Sequence, residues 1–176
     1  MAQSEHIIMR AASDLDLQSL LLLARKASGR RGVVQLFDPH CILNRLHLNA
    51  AYLNAVAAFE DGANKSPDAS MEMLRFAAFT NSIGMAIDLA GAKSSSDMLI
   101  FCSDAALFKR MRRYLKSARP FAGHRKDAAN LAARLGIGKG HMGYALLKRM
   151  ALLRAATNRS SRRGEAAGQL SLMPQA

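Results

Sequence analysis

Asp38, His40, Cys41 and His47 place four metal-ligand side chains in one short stretch, so metal binding is the first chemistry to weigh. Their spacing matches neither paired Cys/His ligands nor the HExxH pattern that sets two imidazoles on one helical turn, so turn and helix-surface roles account for them. Gly138-Lys139-Gly140-His141-Met142-Gly143 reproduces GxGxxG letter for letter. No strand precedes it, and a dinucleotide loop needs a strand-to-helix crevice to aim its amides at a pyrophosphate. Serines are plentiful, but none sits in a GxSxG elbow with an assignable histidine and carboxylate. The chain is expected to be no enzyme, with no catalytic residue, metal or cofactor.

Binding chemistry has better candidates. Thr80, Asn81 and Ser82 interrupt an apolar helical pattern, and at a helix start they could offer amide protons to an anion or a base edge; simple capping needs the same residues. Glu72 lies beside an apolar stripe, where pairing with Arg45 or Arg75 is the favoured role over acid-base work. The run LGIGKGHMGYALLKR has the look of a glycine hairpin that presents amides to nucleic-acid phosphates, although a glycine-capped turn would read the same.

Charge points the same way. Residues 1–108 hold 9 Lys+Arg against 11 Asp+Glu and residues 109–176 hold 16 against 2, so −2 and +14 make up the net +12. A clustered cationic face gains counterion-release free energy on a polyanion that scattered charges do not. Cys41 and Cys102 fit no metal or redox spacing and read as reduced core thiols. The longest aliphatic run, Leu20 to Ala24, is far short of the roughly 20 residues needed to span a bilayer. Residues 1–10 lack a signal peptide's basic-then-apolar order, so a cytoplasmic protein with no membrane partner is expected.

The elements that must position these residues follow from periodicity. His6–Arg10, Val33–Phe37 and Asp97–Cys102 read as buried strands, and Leu17, Leu20, Leu21 and Ala24 define a helix between the first two. A long helix is expected from Ile42 to Phe59 with Leu43, Leu46, Ala50, Leu53 and Ala57 inward. Ser66-Pro67 reads as N-cap and first position of the next helix, which carries Met71, Leu74 and Ala78 inward. Ile83, Ala86, Ile87 and Ala90 continue after the polar break, as a second helix or a kinked one, with Gly91 as a left-handed cap. Ser103-Asp104 caps a helix with Leu107, Met111 and Leu115 on one face and Lys109, Arg110, Arg112, Arg113 and Lys116 on the other, ended by Arg119-Pro120. Asp127–Leu135 is a short helix, and Met142–Ala156 the last one, with Leu146, Leu147, Met150 and Leu153 forming a stripe. The expectation is one α/β domain over residues 1–156, a small mixed β-sheet flanked by several helices, and a disordered basic tail over 157–176.

The run His47-Leu48, Ala57, Phe59, Gly62, Glu72-Met73-Leu74, Ala77-Ala78, Ile83, Ala86-Ile87 and Gly91-Ala92-Lys93 resembles the kinase-binding subunit of the KEOPS complex, the TPRKB family. The closing Lys148–Leu153 segment is similar too, so the resemblance covers about residues 5–156. It implies a non-catalytic regulatory subunit of the machinery that makes threonylcarbamoyl-adenosine in tRNA. Such a subunit would dock on and stimulate a small atypical kinase/ATPase and capture the CCA end of tRNA. By position, kinase binding falls on Leu146, Met150, Leu153 and Arg154. RNA binding falls on Arg45, Arg75, Thr80, Asn81, Ser82 and Lys93, with Lys109, Arg112, Arg113 and Lys116 on the basic segment. Relatives usually carry a glycine and a polar pair ending in glutamine before the isoleucine, where this chain has Phe79-Thr80-Asn81-Ser82. A stand-alone basic nucleic-acid-binding protein using the glycine hairpin and basic helices is the alternative.

Overall fold

A computed structural model describes residues 6–29, 32–123, 148, 150, 151 and 153–155. Its centre is β3 (Met98–Cys102), five consecutive apolar residues buried along the whole strand. Strand geometry sends alternate side chains to opposite faces. Leu99 and Phe101 therefore join Ile8, Phe37, Met73 and Phe76 in one core, while Met98, Ile100 and Cys102 join Leu20, Leu36 and Met111 in another. Burial in this apolar setting pushes the Cys102 thiol up to about 12, with Asp104 adding to the shift. A sheet covered on both faces needs such uninterrupted apolar strands.

Around β3 the sheet has the order β2-β3-β1-β4, with β1 at Ile7–Ala12, β2 at Val34–Phe37 and β4 at Ser117–Pro120. Among the described residues every pairing is antiparallel. The α/β class holds, but the sheet is antiparallel throughout where a mixed one was expected. The reason is β3, which inserts between β1 and β2 and splits the β-α-β unit that the chain order suggests. β4 was not expected at all: it is short, largely exposed and carries no apolar alternation to signal a strand. The helix before it, α5 (Ala105–Arg112), ends early, so Lys116 lies beyond the helix on which it was placed.

α1 (Leu17–Ser28) and α5 cover one face of the sheet; α2 (Arg45–Glu60), α3 (Ala69–Ala77) and α4 (Ile83–Ala90) cover the other. The long second helix starts at Arg45, not Ile42, because Asn44 takes the N-cap and accepts from the His47 amide. Its buried side is also rotated from the expected stripe. His47, Leu48, Ala50, Ala51, Ala55 and Ala58 face inward, whereas Leu46 and Leu53 are 47% and 61% exposed. Small alanines win the inner side because α3 packs closely there. Asp68, not Ser66, caps α3, accepting from Met71 N; Ser66 lies in the loop before the helix, its amide donating to Glu72. Gly91 is not left-handed: φ −65° and ψ 146° are extended, and it bridges to Phe37. A glycine is needed there for close approach, because a Cβ would sit 2.7 Å from the Ile87 carbonyl oxygen.

The expected helix at Asp127–Leu135, the glycine hairpin at 138–143, Leu146 and the tail 157–176 lie outside the described residues. Lys148, Met150, Ala151, Leu153, Arg154 and Ala155 are helical, as expected.

Candidate binding turn between the third and fourth helices

The polar break resolves into a turn joining two separate helices. α3 ends at Ala77 and α4 begins after Ser82, whose Oγ accepts from the Met85 amide as N-cap. Between them, Phe79 adopts φ 54°, left-handed backbone that costs a non-glycine residue about 1–2 kcal/mol. The turn is held from several directions. The Thr80 amide donates to the Arg75 carbonyl at 3.2 Å, and the Ser82 amide donates to Thr80 Oγ1 at 3.1 Å. The His47 ring stacks on Phe79 with centroids 5.2 Å apart.

Glu72 and Arg75 form a wholly buried ion pair beneath this turn, the pairing favoured from the sequence. Glu72 Oε2 accepts from the amides of Lys65 and Ser66, tying the preceding loop. Arg75 Nη2 donates to Asn81 Oδ1 at 2.8 Å. Above, Asn81 and Ser82 are exposed, and the α4 side chains Met85 and Ile87 are 55% and 46% exposed. Hydroxyls, an amide and the Met85 side chain, whose sulfur is 3.9 Å from Thr80 Oγ1, thus share one surface, an arrangement able to take a partner with polar edges and flat apolar faces; Ile87 lies on another side of α4.

A family model described as kinase binding protein CGI-121 matches residues 16–119. The chain belongs to the CGI-121 family. No curated protein matches it. The matched span runs from the N-cap of α1 to β4 and so contains the turn and the basic segment of this CGI-121 protein.

The residues expected to contact RNA are not brought together. Thr80, Asn81 and Ser82 sit on the α2-α3-α4 side of the sheet, whereas Lys109, Arg112 and Arg113 belong to α5 and its end on the other side. The basic segment remains dense: residues 105–123 carry Lys109, Arg110, Arg112, Arg113, Lys116 and Arg119 and no acid. Lys116 pairs with Asp14 at 3.1 Å across an exposed surface, and Arg112 Nη1 donates to the Leu115 carbonyl. Arg45 reaches the His6 carbonyl at 3.5 Å, and Lys93 caps the far end of α4 by donating to the Ile87 carbonyl. Arg75, also expected on the RNA surface, is instead inside the protein with no exposed area.

Of the expected docking residues, Met150 and Leu153 turn inward. Met150 is fully buried in the α2-α3-α4 core and Leu153 packs against that core. Arg154 forms an ion pair with Asp61 at 2.8 Å, tying this helix to the end of α2. Lys148, Ala151 and Ala155 are exposed. Met150 and Leu153 share a side as the spacing implies, but a core helix and a docking helix have the same periodicity.

The metal-type residues gather into no ligand set among the described residues, although Cys41 Sγ lies 3.6 Å from Asp38 Oδ2. Asp38 caps the 3-10 turn Pro39–Cys41 through the His40 amide, and Cys41 is buried. His40 is exposed, 3.9 Å from Asp97. His47 is not on a helix surface but completely buried, where desolvation pushes its imidazole down to about 4. One ion pair had no signal in the sequence: Arg10 grips Asp97 through two 2.6 Å bonds across adjacent strands. That bond, more than charge proximity, holds the Asp97 carboxyl below the usual carboxylate range.

Proposed function

We propose that this chain is the kinase-binding, non-catalytic subunit of a KEOPS-type assembly in the cytoplasm that makes threonylcarbamoyl-adenosine in tRNA. It docks on the small atypical kinase/ATPase and stimulates it, and it binds tRNA at the single-stranded CCA end. Membership in a family described as kinase binding proteins carries this reading.

The kinase site is proposed on the outer side of the last helix, at Lys148 and Ala151, with Leu146 next to it in sequence and Arg154 holding the helix to α2. Met150 and Leu153 support that surface from within. For RNA, the Thr80, Asn81 and Ser82 turn receives the nucleotides of the free end, and Met85 beside it offers apolar area on which a base packs. Lys109, Arg112, Arg113 and Lys116 hold backbone phosphates of the tRNA body, with Arg45 and Lys93 as further phosphate contacts. Because turn and basic segment lie on opposite sides of the sheet, a short oligonucleotide engages only the first, and a whole tRNA is needed for both.

Gel filtration of the full chain with the purified small kinase/ATPase, with and without tRNA, tests the reading. A stable complex whose ATP turnover exceeds that of the kinase alone supports it. Separate elution together with unchanged turnover rejects it.

A further inference from the structure

The Glu72–Arg75 pair is an uneconomical way to fill a core. Removing two ions from water costs several kcal/mol each, and apolar residues of similar volume often do as well or better for stability. Arg75 is the largest of the wholly buried side chains, its Nε finds no partner, and its neighbours Met73, Leu74 and Phe76 already supply apolar core from the same helix. What an apolar pair could not do is reach. Glu72 is fixed by two amides of the loop before α3, and Arg75, fixed by Glu72, extends past the end of its own helix to Asn81. Its target is the one non-glycine segment with positive φ among the described residues. That segment closes α3: the Thr80 and Phe79 amides donate to the Arg75 and Phe76 carbonyls, the helix-end pattern in which the left-handed residue caps the last turn.

We infer that Glu72 and Arg75 are positioning residues for ligand capture: by gripping Asn81 they fix the Thr80 and Ser82 hydroxyls and the start of α4 for the RNA end. This rests on the proposed binding of the CCA end at that turn. Neither side chain touches the ligand. An apolar pair could fill the same volume, but it would release the Lys65 and Ser66 amides and Asn81, so the geometry of the loop and the turn would be lost.

The test compares the full chain with Asn81→Ala and with the paired variant Glu72→Leu/Arg75→Met, which leaves no unpaired buried charge. The probes are one tRNA transcript with its CCA end intact and the same transcript trimmed of it. The inference expects both variants to unfold cooperatively, to bind intact tRNA about tenfold more weakly, and to lose the preference for intact over trimmed tRNA. Combining the changes should add little, since each breaks the same contact. The slope of affinity against salt should stay as in the unaltered chain, because no phosphate contact has been removed. Equal affinity of the unaltered chain and both variants for intact tRNA overturns the inference, as does additive loss in the combination. If the paired variant fails to fold, Arg75→Lys decides: it keeps a cation opposite Glu72 but lacks the fork that also reaches Asn81, so unchanged affinity for intact tRNA in this variant overturns the inference. An unaltered chain that binds tRNA without preferring the intact end overturns the reading of the turn itself, and the inference with it.

Discussion

His47 Nε2 lies 3.0 Å from the carbonyl oxygen of Ala77, joining the start of α2 to the end of α3. Its Nδ1 accepts from the Leu43 amide at 3.2 Å, and an amide can only donate. The ring is therefore neutral, with its proton on Nε2, and a second proton would face the Leu43 N–H. Desolvation lowers its pKa to about 4, against the ordinary 6.5 of the unfolded chain.

Between those two values the unfolded state binds the extra proton, so stability is complete above about pH 6.5 and falls as pH drops towards 4. The loss approaches roughly 3 kcal/mol below both values. Urea midpoints measured from pH 7.5 to 4 should show this decline. A His47→Gln chain should be less stable at pH 7 but lack the histidine part of the slope; an unchanged slope contradicts the assignment.

Gly91→Ala should destabilise by about 1–3 kcal/mol, because the new Cβ meets the Ile87 carbonyl oxygen at 2.7 Å although φ −65° suits alanine. Gly62→Ala makes the opposite case. Its φ of 63° is left-handed and nothing lies within 4 Å of the new atom, so its cost of about 1 kcal/mol is conformational only. Gly62→Asn should recover part of that loss, whereas Gly91→Asn should be worse than Gly91→Ala. Thermal unfolding separates the two.

Met150→Ala should cost about 2–5 kcal/mol, the penalty of a core cavity, and reduce kinase binding only as far as it unfolds the chain. Lys148→Glu with Ala151→Arg, both on the exposed side, should keep the melting temperature within a few degrees and abolish kinase binding. A kinase complex formed by the latter variant as readily as by the unaltered chain removes the last helix from the docking surface.

Changing Arg112, Arg113 and Lys116 together to glutamine should weaken tRNA binding and flatten its dependence on salt. Each lost phosphate contact lowers the slope by about 0.7–0.9. Lys116 already faces Asp14 and Arg112 the Leu115 carbonyl, so the combined change should fall short of three full contacts. Unchanged affinity and slope would show that the basic segment serves another purpose.

These predictions follow the boundary between what the sequence could and could not reveal. β3 was legible because five apolar residues in a row have few other fates, and the α3–α4 turn because Thr80, Asn81 and Ser82 break a regular stripe. The rotation of α2 was not. Leu46 and Leu53 carry more apolar weight than Ala51 and Ala55, yet close packing with α3 selects small side chains, a tertiary preference that outranks hydrophobicity. β4 was hidden because an exposed basic edge strand has no alternation to read. The pairing of Glu72 with Arg75 was legible, but the resemblance put Arg75 on the RNA surface. Its place inside depends on Glu72 one turn earlier and on Asn81 beyond the helix end, a three-body arrangement that no single spacing announces.

The central claim is that the chain joins a kinase to tRNA, and capture of the full chain from its native lysate, with bound protein and RNA both identified, tests it most directly. A small kinase/ATPase together with tRNA bearing an intact CCA end should be recovered, the kinase being lost with Lys148→Glu/Ala151→Arg. Recovery of mixed nucleic acid with no kinase would contradict it.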